Sequence, residues 1–96
     1  MIKHVVLWKF KEENKQENME KARKMLLALV GVIKEIRHMD VYFDVSHTDA
    51  SMDMMLDTEF LSVDELKVYA VHPEHLKVAD FMRVATEKRV VIDSEI

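Results

Sequence analysis

The chain predicts an α+β domain of the ferredoxin-like type, with element order β-α-β-β-α-β and one antiparallel sheet. Three observations carry this. The N-terminus is a β-branched, aromatic run of period two; two further period-two runs sit mid-chain around a short polar turn; and a stretch of helical period lies on each side of that pair.

The first strand spans Ile2 to Phe10, with Ile2, His4, Val6, Trp8 and Phe10 on one face and Val5 and Leu7 on the other. Both faces carry apolar side chains, so both are expected to be covered. Polar residues Lys11 to Glu17 lead into a helix from about Gln16 to Ile33. Its stripe of Met19, Ala22, Leu26, Leu29, Val30 and Ile33 follows helical spacing, and Gly31 supplies a stop near its end. The second strand runs from about His38 to His47, with Met39, Val41, Phe43 and Val45 facing inward.

The turn Thr48-Asp49-Ala50-Ser51 then opens a third strand, from about Met52 to Phe60, and the two form a hairpin. Ser62-Val63-Asp64-Glu65 matches a capping box and starts the second helix at Val63. That helix runs to about Val71, breaks at His72, and continues from Pro73 to about Lys88, because the residue before proline is pushed out of helical geometry. Arg89 to Ile96 holds the last strand, Val90-Val91-Ile92.

Two right-handed crossovers place both helices on one sheet face and the two crossover-linked strands at its centre. The opposite face stays bare. An exposed face this apolar is most economically covered by the same face of a second copy, which predicts a homodimer through the sheet.

With 96 residues the sequence reads as one domain, 1–96, and its composition, nearly half apolar and a third charged, is that of a globular protein. A net charge of -4, with the 14 Lys and Arg scattered along the chain, argues against nucleic-acid binding. Cysteine is absent, which removes disulfides, thiol nucleophiles and cysteine-based zinc sites and points to the cytoplasm. No apolar stretch is long enough to span a bilayer, and the N-terminus lacks a signal-peptide profile, so no membrane role is expected. A single glycine excludes the Gly-rich phosphate loops.

The chemistry concentrates in Tyr69-Ala70-Val71-His72-Pro73-Glu74-His75, a phenol and two imidazoles at a proline-marked joint between helices. These side chains exchange protons near neutral pH or bind a polar head group. The plainer reading makes His72 a cap, His75 a first-turn surface residue and Tyr69 a core residue. His4, His72 and His75 could in principle converge as three zinc ligands, but no metal site and no cofactor is expected.

The His-Pro-x-His motif after Tyr69, behind the N-terminal Ile-Lys-His-Val-Val-Leu-Trp-Lys-Phe-Lys, resembles the stress-responsive dimeric α/β-barrel (Dabb) family, from Ile2 to about Asp93. The resemblance implies a dimer of two sheets with helices outside, and a ligand cavity between sheet and helices. A polyketide cyclase of that family uses a Tyr and a His for aldol ring closure, at positions matching Tyr69 and His75. It has a pocket His at the position of His4, and another where this chain has Met54.

Some plant members hold magnesium on main-chain carbonyls, which here would lie near Val30, Ile33 and Ile36. The expected site therefore comprises Tyr69 and His75 as proton-handling residues, with His4, His72, Trp8, Met54 and Phe81 contacting a small hydrophobic ligand. Binding is the primary expectation, and acid–base catalysis of the cyclase or lyase type the alternative.

Overall fold

The computed structural model describes residues 1–96. It contains strands β1 (Ile2–Phe10), β2 (His38–Phe43), β3 (Met54–Phe60) and β4 (Thr86–Glu95), and helices α1 (Lys15–Leu27), α2 (Val63–Val71) and α3 (Pro73–Ala85). The strands form one antiparallel sheet in the order β2-β3-β1-β4, so β1 and β3 are central, as the crossovers require.

Alternation along β1 sorts its side chains cleanly. His4, Val6, Trp8 and Phe10 are buried under the helices, and their neighbours across the sheet are Thr58, Leu56 and Met54 on β3. The core joins these to Met19, Ala22 and Leu26 of α1 and to Tyr69, Val78, Met82 and Ala85 of α2 and α3. Thr58 is tolerated in this layer because its hydroxyl donates to the His4 carbonyl at 2.9 Å.

Several boundaries differ from those the sequence predicts. Helix α1 stops at Leu27 rather than Ile33, because the chain enters an irregular turn in which Gly31 takes φ +88°. Leu29 and Ile33 still reach the core, since Ile33 N–H donates to the Leu29 carbonyl at 2.9 Å and holds one more helix-like turn. Strand β2 stops at Phe43, because the Asp44 carboxylate accepts the His47 N–H at 2.7 Å and His47 turns at φ 53°. Val45, expected inside, is exposed.

Helix α3 ends at Ala85, three residues before Lys88. The Thr86 backbone turns extended, its hydroxyl donates to the Met82 carbonyl at 2.6 Å, and Thr86 to Glu95 pair along the edge of β1. The polar run Glu87-Lys88-Arg89 resembles a helix surface, but β1 has an unpaired edge to fill, and that tertiary demand overrides local preference. The last strand is therefore ten residues long.

At α2 the expected cap forms, with the Ser62 hydroxyl accepting the Glu65 N–H at 3.2 Å. Glu65 reaches one residue further back than a standard box, accepting Leu61 N–H at 3.1 Å, and its carboxylate also pairs with Arg37 at 2.8 Å.

One polar group inside the fold ties three segments together. Asp53, 8% exposed, precedes β3; its carboxylate accepts the Phe10 N–H at 2.7 Å and pairs with Lys15 at 3.1 Å, at the start of α1. Its own N–H donates to the Trp8 carbonyl at 2.8 Å. Asp53→Ala leaves the buried Phe10 amide without its acceptor and Lys15 with only Glu12, so denaturant unfolding should show a loss of about 1–3 kcal/mol. An unchanged midpoint would contradict this linking role.

Candidate functional site

A cavity of about 420 Å³ opens between the β1 end of the sheet and helix α3. Its floor is His4, Val6 and Trp8 on β1 with Leu56 on β3; its walls include Tyr69 of α2, His75, Val78 and Met82 of α3, and Leu26 of α1. Arg83, Glu87, Lys88 and Arg89 add a charged portion to an otherwise apolar lining.

The break between α2 and α3 positions the key rings. Pro73 occupies the first turn of α3, and His72 takes an extended backbone (φ -64°, ψ 134°), so the chain turns between Tyr69 and His75. The two rings end with centroids 4.3 Å apart. The His4 ring lies 6.1 Å from that of Tyr69, and Phe60 packs against the phenol at 5.1 Å.

Hydrogen bonds assign the imidazole protons. The Ala70 carbonyl can only accept, so His75 Nδ1–H donates to it at 3.0 Å, leaving Nε2 as the basic atom of the neutral ring. Burial pulls the His75 pKa below its ordinary 6.5, against the opposing effect of the Ala70 bond; the charges of His4, Arg89 and His72 lower it further. His4 Nδ1 likewise donates to the carboxylate of Asp93, its cross-strand partner on β4. That pairing orients the His4 ring as a carboxylate orients imidazoles in many acid–base sites.

Tyr69 is 1% exposed and its hydroxyl has no hydrogen-bond partner. Burial pushes its pKa above the ordinary 10.0, with the Arg89 charge partly opposing the shift. The group therefore stays protonated across the physiological range. A buried, unpartnered phenol on a cavity wall is an available donor for a molecule inside.

Of the residues expected from sequence, the structure brings His4, Trp8, Tyr69 and His75 to this one cavity. The other three lie elsewhere. His72 caps α3, its Nδ1 accepting the Glu74 N–H at 3.1 Å, so the three imidazoles do not converge on one point of the lining. Met54, beside Trp8 across the sheet, reaches a separate groove with Met52 and Met55. Phe81 packs against the core edge under the Lys21 ammonium, 4.7 Å from its ring centroid.

Asp93, Arg83 and Arg89 were not picked out by sequence reasoning. For two of them the signal is register: once β4 is known to pair with β1, Asp93 falls opposite His4 and Arg89 opposite Trp8.

A model of the stress-responsive A/B barrel domain (Dabb) matches residues 2–96. The chain belongs to the Dabb family. It is 28% identical to olivetolic acid cyclase of Cannabis sativa, over 96% of this chain and 93% of that protein. Among solved structures, it is similar to a dimeric ferredoxin-like protein of unknown function from Bacteroides fragilis, with TM-score 0.90, 29% identity, and coverage of 99% of this chain and 95% of that one. Hydroxynitrile lyase from Passiflora edulis shares the fold, with TM-score 0.89 and 19% identity over 99% of this chain and 92% of that one.

Within this Dabb chain the Tyr69 hydroxyl makes no structural hydrogen bond, so its removal should cost little. Tyr69→Phe is expected to shift unfolding free energy by less than about 1 kcal/mol, whereas breaking a buried hydrogen bond would cost about 1–3 kcal/mol. Thermal and denaturant melts distinguish the two.

Proposed function

We propose that this Dabb protein is a homodimer whose subunits each bind a small, mostly apolar carbonyl compound in the cavity and move a proton on it. The observation that carries the reading is the pairing, on one apolar wall, of an unpartnered phenol donor with a neutral imidazole whose Nε2 is free. In the reaction, His75 Nε2 takes a proton from carbon next to the carbonyl. Tyr69 donates a hydrogen bond to the carbonyl oxygen as that oxygen gains charge, and the proton on His75 is then returned to product.

His4, held by Asp93, supplies a second oriented imidazole. Similarity to olivetolic acid cyclase along nearly the whole chain supports carbonyl chemistry of this kind. Ligand-observed NMR against a library of small ketones and aromatic carbonyl compounds provides the test. Hits should lose binding in His75→Ala and Tyr69→Phe while both variants keep their fold; retained binding with a lowered melting temperature would reject the assignment.

Proton affinity offers an independent check. Burial favours the neutral His75 ring, so the base form persists below pH 6.5 and is lost only as pH falls through the lowered folded value. The same depression means the folded state resists protonation that the unfolded chain accepts, so the stability this residue contributes is complete above 6.5 and declines below it. An NMR titration of the His75 ring should give a midpoint below 6.5. A midpoint at or above that value would contradict the buried, basic site.

The dimer reading rests on the uncovered sheet face. Val5 and Leu7 of β1, Met55 of β3, Tyr42 of β2, and Val90 and Ile92 of β4 share it, with Ile92 64% exposed and Tyr42 48%. The described dimer of the similar Bacteroides fragilis protein supports the same assembly. Sedimentation equilibrium should give twice the chain mass. Leu7→Asp, which places a charge in the centre of that face, should dissociate the dimer, and a native monomer at micromolar concentration would refute it.

A further inference from the structure

We infer that the ligand of this cavity carries a carboxylate head, held at the mouth by Arg89, with its apolar body directed toward Val6, Trp8 and Leu56. The inference rests on the cavity reading above and adds the chemical class of the ligand. Four charged residues line the cavity, and three of them are cations: Arg83, Lys88 and Arg89 against Glu87.

The three cations are not equivalent. Arg83 is neutralised by Asp80 at 2.8 Å, one turn away on α3. Lys88 pairs across the sheet with Lys9, whereas Arg89 is opposite Trp8, on the strand face that looks into the cavity. No carboxylate lies within 4.0 Å of the Arg89 guanidinium, although seven contacts between a Lys or Arg and a carboxylate occur elsewhere in the chain. Its charge nevertheless lowers the proton affinity of both Tyr69 and His75, so it acts on the same space as the reactive pair.

A neutral apolar ligand seated here would strip water from Arg89 and give nothing in return, which is unfavourable. A carboxylate restores the lost hydration with two parallel N–H to O bonds, a geometry that guanidinium provides and ammonium does not. The head at the mouth also leaves the deeper part of the ligand beside Tyr69 and His75.

Octanoate and its uncharged match octanamide test the inference, with binding measured by calorimetry and by NMR shifts of the Tyr69 and His75 rings. Octanoate should bind at least about tenfold more tightly than octanamide. Arg89→Gln, a change at an exposed edge-strand position, should erase that difference while leaving the melting temperature unchanged, and Arg89→Lys should restore only part of it. Equal affinity of the two probes, or a preference that survives in Arg89→Gln, overturns the carboxylate head while leaving the cavity reading standing. Failure of both probes to bind also overturns it, and the carbonyl-compound screen decides the cavity reading separately. Octyl phosphate binding more tightly than octanoate would replace the carboxylate with a phosphate and so reject the inference as stated.

Discussion

Pairing of β1 on both of its edges is the constraint on which the rest of the molecule depends. With β3 on one side and β4 on the other, every side chain of β1 is committed to one of two faces, and a slip of one residue would exchange them. The helix-facing set supplies the cavity floor and part of the core. The opposite set leaves Val5 and Leu7 among other apolar side chains on a face that no part of this chain covers. Asp53 reinforces the arrangement by binding the C-terminal end of β1 and the start of α1 to the entry of β3.

The same pairing builds the polar part of the cavity. His4 sits among apolar residues on a central strand, a costly place for an imidazole unless it has a partner. β4 brings one, because the antiparallel register sets Asp93 opposite it. Tyr69 is the contrasting case: it is just as buried, but its hydroxyl is left without a partner. Such a group lowers stability slightly in the empty protein and becomes favourable when a ligand accepts its hydrogen bond, which is a common arrangement at functional sites.

Chain connectivity explains how α2 and α3 contribute to one site. A continuous helix would place residues Tyr69 and His75 on faces set only by helical rotation. The break at His72 frees that relation, and capping by the His72 side chain stabilises the restart. Of the two imidazoles at the joint, one is therefore structural and the other faces the cavity. Similarity of this chain both to a cyclase and to a protein of unknown function fits this division, because a scaffold can be shared while the lining varies.

The amino-acid sequence alone determined the element order, the capping box at Ser62, the break before Pro73 and the sorting of β1 into two faces, because these follow from local sterics and short-range periodicity. It also marked Tyr69 and His75 through the motif at the helix joint, while His4 and Trp8 were expected at the site from the family resemblance. Tertiary structure decided where α1 and α3 end and how long β4 is, since pairing an open sheet edge outweighs the helical preference of Glu87-Lys88-Arg89. It alone decided that His72 caps a helix while His75 faces a cavity, and that Met54 and Phe81 lie outside it. Asp93 and Arg89 acquire their meaning only from strand register, a relation between residues more than eighty positions apart that no local pattern encodes.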